Sequence, residues 1–504
     1  MMSNPGKLCT WSSEPFRTPA VAIIFSLMLL GGAVISHAWA QSPVTVTLGS
    51  QSAGTPIPAG FLGLSFGMKT LLPDKDGGHF FSATNVPLVT LLRNIGIKHL
   101  RLGGTTVESP PSTPIPDPTD IDNLFAFVEA ARIEKVIYSL RLLETAPYLH
   151  YAATNAALAK YIWAHYRSRL DLFAIGNEPD RRNVYDQDVS ITNFATYLGK
   201  WREFAAAITN AVPAAKFAGP DAGSGNVYWT TQFADATKGQ GSVQLITEHF
   251  YVGGAGRGKT AEQGLEAILS TNWIAANERL YERMALPVIA AGLPYRFTEA
   301  SDHYSGGIPH ASDTFAAALW ALDFLHWWAA HGTSGVNFHN TQWVVNDVIT
   351  LDLNRQLVAN PKAYGLKAFA LGGQGAEVPV TMNNSDGLNA TAYAVWDGSQ
   401  FYVTLINKEH GFGARDAQVT IDARDSGLAS AAAIFLSAPQ GDVATKGGVT
   451  IGGAAITNNA LWAGNWSELP SATNGHYAVT VKFSSAAVVR LRTVPQPAPP
   501  RESR

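Results

Sequence analysis

Between residues 61 and 339, short apolar runs alternate with stretches in which apolar side chains recur every three or four positions. The runs Phe61–Phe66, Ile97–Gly104, Lys135–Leu143, Asp171–Asn177, Lys216–Pro220, Val243–Tyr251, Tyr295–Ala300 and Gly335–His339 have the length and composition of strands. Helical spacing marks the stretches between them. Ile191–Ala211 places Phe194, Tyr197, Leu198, Trp201, Phe204, Ala205 and Ile208 on one face, and Thr314–Ala330 is a second example. Eight strands alternating with helices predict a (β/α)8 TIM barrel. A doubly wound open sheet is the competing α/β arrangement. It calls for a phosphate-binding glycine fingerprint after the first strand, and Gly63, Gly67 and the Gly77-Gly78 pair have the wrong spacing for one.

From about residue 366 the pattern becomes short alternating strands: Tyr393–Trp396, Phe401–Ile406, Gln418–Ile421, Ala433–Leu436, Ala478–Phe483 and Ala487–Leu491. Asp386-Gly387 and Asp397-Gly398 are expected to supply hairpin turns. This reads as an all-β sandwich. The alternation of Val44, Val46 and Leu48 is a strand with no place in the barrel, so it is expected to join the sandwich. The resulting order is a strand segment at 41–58, a catalytic barrel at 59–365, a sandwich at 366–494 and a proline-rich, disordered tail at 495–504.

The start of the chain has a different pattern. Lys7 and Arg17 precede an apolar run from Val21 to Ile35, which ends in Ala38-Trp39-Ala40. Positive flank, apolar stretch and small-x-small site predict a secretory signal over residues 1–40 and a secreted or periplasmic protein beginning near Gln41. A membrane anchor is the alternative, but the run is short of the roughly 20 residues that a bilayer span needs. The only cysteine, Cys9, would leave with the signal, which removes thiol chemistry and cysteine metal sites from the mature chain. No later segment is apolar enough to span a membrane.

Composition narrows the function classes. A formal charge of −3 offers no concentrated cation for nucleic acid. Only 15% of residues are charged and 10% are aromatic, which favours a well-packed globular protein whose surplus aromatics suit sugar rings. The histidines show no HExxH or paired metal spacing, so no metal site is expected. His326, His331 and the Trp327-Trp328 pair read as packing on an apolar helix.

The candidate chemistry lies at strand tips, where a barrel of this kind carries its active site. In Ala174-Ile175-Gly176-Asn177-Glu178-Pro179 an apolar strand stops abruptly at an Asn-Glu pair, and the proline forbids its continuation. A carboxylate against an apolar wall is set up as a general acid, because partial burial raises its pKa, and the adjacent amide can hold a substrate hydroxyl. Glu299 ends another strand, Pro294–Glu299. Glu178 and Glu299 therefore fall on the fourth and seventh tips, across the barrel mouth from each other, which is the minimum equipment of a glycosidase.

These features resemble the clan of retaining glycoside hydrolases and, within it, the β-glucuronidase and heparanase family, glycoside hydrolase family 79. The likeness is carried by Phe61–Phe66, Leu100-Arg101-Leu102-Gly103-Gly104-Thr105, Ala174–Pro179, His249-Phe250-Tyr251 and Thr298-Glu299-Ala300-Ser301, and it covers nearly all of the chain after residue 40. It implies Glu178 as acid/base and Glu299 as nucleophile, a carbohydrate partner, no cofactor, and net retention. The two carboxyl groups should then stand about 5–5.5 Å apart. A nucleophile must stay ionised, and Arg101 and Tyr251 are placed to supply the charge and hydrogen bond for that. Asn177 is expected on the sugar 2-hydroxyl and Thr105 against the sugar. Tyr304 with the backbone N–H groups of Gly306 and Gly307 offers a carboxylate site without arginine, similar to the uronate loop of bacterial β-glucuronidases in this family.

Two positions depart from the pattern. Gly67 stands where an acidic side chain is expected to grip the distal hydroxyls, leaving space for a 4-O-substituent or an adjacent sugar. After the eighth strand, His339–Trp343 has no counterpart of the tyrosine that completes uronate binding. An exo-acting β-glucuronidase is the leading expectation. The alternatives are an endo-acting heparanase-like enzyme, a neutral-sugar retaining glycosidase of the same clan, and a secreted glycan-binding protein on a decayed barrel. Binding alone needs neither an acid nor a nucleophile.

Overall fold

The computed structural model of the chain describes residues 41–49, 54–144, 147, 149–181, 190–223, 228–423, 428–470 and 475–493; the leader expected at 1–40, with Cys9, and the tail expected at 495–504 lie outside them. After β1 (Gln41–Leu48) come eight strands: β2 (Leu62–Gly67), β3 (His99–Gly103), β4 (Lys135–Leu140), β5 (Leu170–Ile175), β6 (Phe217–Ala222), β7 (Val243–Tyr251), β8 (Tyr295–Ser301) and β9 (Gly335–His339). They form a closed barrel in chain order, all neighbours parallel, with Leu62 of β2 paired to Val336 of β9 across the seam. All eight strands read from the apolar runs are present. Their boundaries differ by a few residues, because the ends of each run continue into loops.

Helix starts are written locally. Asp117 and Asn193 each close a capping box at helices 118–131 and 194–211, satisfying backbone N–H groups that would otherwise lack partners. Gly96 ends helix 86–95 in the left-handed conformation, φ 95°, which glycine adopts without a Cβ penalty. Inside the barrel, Ile137, Leu172, Ala174, Ala218 and Leu245 form a small apolar plug. The larger core lies between the strands and the surrounding helices.

Helix 315–330 is buried along its whole length from Phe315 to Ala329, because the C-terminal domain covers the face that a barrel helix usually leaves to water. His326 stacks on Tyr393 of that domain at 5.1 Å, and Trp328 packs edge-on to Phe297 of β8 at 4.6 Å, so this helix is core, as its composition suggested. The C-terminal domain is two antiparallel-rich sheets around a second core. In one, β1 lies between strands 380–383 and 416–422, parallel to the latter, so both ends of the described chain build this domain. The other contains strands 376–378, 390–396, 400–407, 485–493, 428–437 and 450–451.

Asp397-Gly398 makes the expected hairpin, with Trp396 opposite Phe401. Asp386-Gly387 does not. It follows strand 380–383 of one sheet and precedes strand 390–396 of the other, so the turn carries the chain between sheets rather than between paired strands. A turn dipeptide reports a reversal of direction; which strands pair is decided by the sheets. No helix among the described residues is long and apolar enough to cross a membrane.

The two domains share a buried ion pair. Asp323, on helix 315–330, meets Lys408 of the sandwich with both side chains fully enclosed, and it also accepts from Tyr393 Oη at 2.6 Å and Thr391 Oγ1 at 2.9 Å. Removing one partner of such a pair strands the other charge. Lys408→Met should therefore cost about 3–5 kcal/mol in chemical denaturation, and the double variant Lys408→Met/Asp323→Asn should recover most of it.

Candidate active site

The strand tips converge on one buried guanidinium. Arg101 on β3 is fully enclosed and donates from Nη1 to Glu299 Oε2 at 3.2 Å and Ser65 Oγ at 3.3 Å. From Nη2 it donates to Asn177 Oδ1 at 2.8 Å and Asp221 Oδ2 at 2.7 Å. The fork geometry of arginine allows one side chain to hold four strand tips at once. Burial raises Asp221, but Arg101 outweighs it and holds this carboxyl below its ordinary value.

Glu299 reaches this cluster through an irregularity of β8. Glu248 of β7 pairs with Phe297 and His249 pairs with Glu299, so Thr298 is an extra residue on β8. A bulge of this kind re-aims side chains beside active sites. Thr298 Oγ1 donates to Asp221 Oδ1 at 2.6 Å while the next residue, Glu299, also meets Arg101. On a regular strand two successive side chains face opposite sides.

Glu299 is surrounded by donors and cations. Tyr251 Oη donates to Oε1 at 2.5 Å, His339 Nδ1 lies 3.4 Å from Oε2, and His249 Nδ1 lies 4.0 Å from the same oxygen. Burial alone would disfavour the carboxylate. His339, His249 and Arg101 together with the Tyr251 hydrogen bond outweigh it and bring Glu299 down to about 2.

Glu178 stands on a tight turn at the end of β5. Gly176 has φ 91° and Glu178 φ 48°, and Glu178 N donates to Asp221 O at 2.9 Å. A non-glycine residue in the left-handed region is a strained placement that surrounding structure must enforce. The carboxylate binds His249 Nδ1 at 3.1 Å through Oε1 and Arg181 Nη1 at 3.1 Å through Oε2. Burial disfavours the His249 imidazolium, but Glu299 and Glu178 outweigh it and raise its pKa. One oxygen of Glu178, one of Glu299 and a ring nitrogen of His249 all lie within 4.8 Å of one another. Arg101 and Arg181 already place positive charge on both carboxylates, which opposes a metal cation there.

Arg101, Asn177, Glu178, Tyr251 and Glu299 thus form one connected cluster. Thr105 is exposed on the wall of a cavity of about 640 Å³ that also contains Glu299, His339, Lys69 and the exposed Trp343. Tyr304 packs edge-on to Tyr251 at 6.2 Å. Gly306 and Gly307 follow it with φ 88° and 87°, beside Val344 and Asn346 on the next rim loop and outside that cavity wall. Neither glycine N–H meets an acceptor among the described residues.

The space expected beside Gly67 is partly filled. A Cβ at Gly67 would meet Thr106 Oγ1 at 2.8 Å, so the glycine is needed for close approach of the β3 loop, and the room lies further along the cavity toward Lys69. Sequence reasoning passed over Asp221, His249, His339, Arg181 and Ser65 as site residues. Two of them had a signal. His249 stands two positions before Tyr251 and so on the same strand face, and Asp221 follows Gly219-Pro220 at a strand tip.

Glycosyl hydrolase family 79, N-terminal domain, matches residues 149–326. A β-glucuronidase of Aspergillus niger is 29% identical over 110 residues, which is 20% of this chain and 20% of that protein. Among solved structures, a 4-O-α-L-rhamnosyl-β-D-glucuronidase from Fusarium oxysporum 12S has TM-score 0.67 at 15% identity, covering 89% of this chain and 99% of its own. A family 51 arabinofuranosidase from Xanthomonas axonopodis pv. citri has TM-score 0.65 at 14% identity, covering 90% and 100%. At those identities the structures share the fold alone, a (β/α)8 barrel carrying a β domain.

Glu299 makes a signed prediction. Its folded pKa lies below the roughly 4.3 of a free glutamate, so its ionisation contributes stability that is fully present above that pH and lost as pH falls toward 2. Urea denaturation at stepped pH should show a shallower loss of stability for Glu299→Gln than for the parent between about pH 5 and 2.

Proposed function

Because residues 149–326 match the family 79 glycosyl hydrolase N-terminal domain, we propose that the chain is a retaining, exo-acting β-glucuronidase. The observation that carries this is the carboxylate pair itself. An oxygen of each lies within 4.8 Å of the other, which fits the about 5–5.5 Å between the carboxyl groups of a double displacement better than the about 6.5–9.5 Å of an inverting pair. The pair is also asymmetric in environment. Glu299, held ionised by His339, His249, Arg101 and Tyr251, is the nucleophile. Glu178, at the tip of the opposite strand, is the acid/base.

In the first step a Glu299 oxygen bonds to the anomeric carbon as the glycosidic bond breaks, and Glu178 gives its proton to the departing oxygen. In the second, Glu178 takes a proton from water, which displaces Glu299 and restores the original configuration. Arg101 orients the Asn177 amide by its oxygen, which suits a contact to the 2-hydroxyl. The uronate carboxylate is assigned to the N–H groups of Gly306 and Gly307 with the Tyr304 hydroxyl. Support for this is the pair of left-handed glycines, whose N–H groups meet no acceptor among the described residues, and the packing of Tyr304 on Tyr251. Export by the leader at 1–40, to the periplasm or outside, belongs to the same reading.

A second reading has its own observation. The 640 Å³ cavity has the nucleophile on its wall and not the acid/base. The leaving group departs on the acid side, so this cavity extends from the glycone, and it sits mid-range for pockets that enclose ligands larger than one sugar. A 4-O-methyl group or a further sugar on the uronate fits there. The Fusarium neighbour, named a 4-O-rhamnosyl-glucuronidase, is consistent with that position.

Hydrolysis of aryl β-glucuronide, glucoside, xyloside and arabinofuranoside tests the first reading. Turnover of the glucuronide alone, abolished by Glu299→Ala, is expected; preference for a neutral sugar overturns the uronate assignment. Glu178→Ala should largely spare the first step on activated aryl substrates, and equal loss in both variants at that step overturns the role assignment. Mass spectrometry of products from a 4-O-substituted glucuronide separates the two readings by whether the substituent leaves on the uronate.

A further inference from the structure

Beneath the rim lies a polar cluster that takes no part in the chemistry above. Lys362, at the start of helix 361–372, is fully buried and donates to Ser301 Oγ at 2.9 Å, Asp302 Oδ1 at 2.6 Å and the main-chain oxygen of Asn346 at 2.7 Å. Asp302 also accepts from Ser312 Oγ, and its Oδ2 lies 3.2 Å from His303 Nδ1. Ser312 Oγ in turn accepts from Ile308 N at 2.9 Å, and Asn346 Nδ2 donates to His303 O at 2.7 Å. Every side chain in this network is buried.

The network joins two rim loops that have no direct sequence link. One carries Tyr304, Gly306 and Gly307 and is bounded by His303 and Ile308, both of which the network holds by their backbone. The other carries Trp343 and Val344 and is bounded by Asn346, which the network holds at both its carbonyl and its side chain. Gly307 is pressed between them: a Cβ there would meet Asn346 Cβ at 2.7 Å and Ser312 Oγ at 2.8 Å. The burial of an ammonium and a carboxylate is costly unless every lone pair and proton is used, and here Lys362 fills all three donors. Stability alone is served as well by apolar packing at such a position. Fixed geometry of the two loops is what the ion pair adds.

We propose that Lys362, through Asp302 and Asn346, is a positioning residue for substrate recognition that clamps the carboxylate-binding loop 304–307 to the loop 341–346. The proposal rests on the uronate reading for its effect on substrate and stands apart from it in its effect on the loops. Glu299, two residues before Ser301, has its own supports in Arg101 and Tyr251, so the clamp governs binding more than turnover.

The test compares the parent with Lys362→Met/Asp302→Asn, which removes both charges together and avoids an unpaired buried carboxylate. A milder variant, Asn346→Ala, deletes only the bond to His303. Both should raise KM for 4-nitrophenyl β-D-glucuronide, the double variant by about tenfold, with kcat changed by less than about threefold. Amide hydrogen exchange should accelerate in 303–308 and 341–348 and not in the barrel strands. Parent-like KM and exchange in Asn346→Ala, or in a double variant whose Tm is retained, overturns the clamp. A KM rise without faster exchange in both loops overturns it too. If the parent prefers a neutral aryl glycoside, the uronate reading falls while exchange in the two loops still decides the clamp.

Discussion

The guanidinium of Arg101 sits inside the barrel, out of reach of water, and touches groups from four other strands or strand tips: Ser65, Asn177, Asp221 and Glu299. A charge so placed is tolerable only where opposite charge surrounds it, and Asp221 and Glu299 supply that. Burial lowers the pKa of Arg101, but the two carboxylates raise it further, so the cation persists and holds them ionised in return. Asp221 is the compensating anion with no access to substrate; Glu299 is the one that faces the cavity. Orientation of the Asn177 amide and ionisation of Glu299 both follow from this single side chain.

The backbone around the cluster is correspondingly irregular. Positive φ at Gly176, Glu178 and Asp221, and an extra residue at Thr298 in β8, are all found at the C-terminal ends of strands. Each costs something locally, of order 1–3 kcal/mol for a strained non-glycine residue. The barrel below them is closed and packed around its plug of Ile137, Leu172, Ala174, Ala218 and Leu245, and it is this lower half that over-determines the rim. Rim loops are then secured a second time by polar networks such as that of Lys362. Side-chain geometry is thus fixed both at the strand tips and in the loops that this network ties together.

The C-terminal domain contributes by covering helix 315–330. With both faces buried this helix can be apolar almost throughout, Asp323 and His326 excepted, and it packs Phe324 and Trp328 directly behind Phe297 of the strand that carries Glu299. The enclosed Asp323–Lys408 pair bridges this helix and the C-terminal domain.

Much of this was written in local pattern. Apolar runs of strand length and the helical spacing between them are properties of short segments, and they specified eight barrel strands, a β domain and the tips bearing Glu178 and Glu299. The same local view identified Arg101, Tyr251, Asn177 and Thr105 because each stands at the end of an apolar run. It could not find His339 on Glu299, Arg181 on Glu178, Thr106 filling the place beside Gly67, or the sheet-to-sheet role of Asp386-Gly387. Arg101 meets Asp221 and Glu299 from 120 and 198 positions away, and contacts of that range are set by barrel closure, strand register and the irregularities at Asp221 and Thr298. A side-chain period tells which face a residue takes. Only the assembled barrel decides what stands across from it, because that depends on the stagger of strands whose sequences never adjoin.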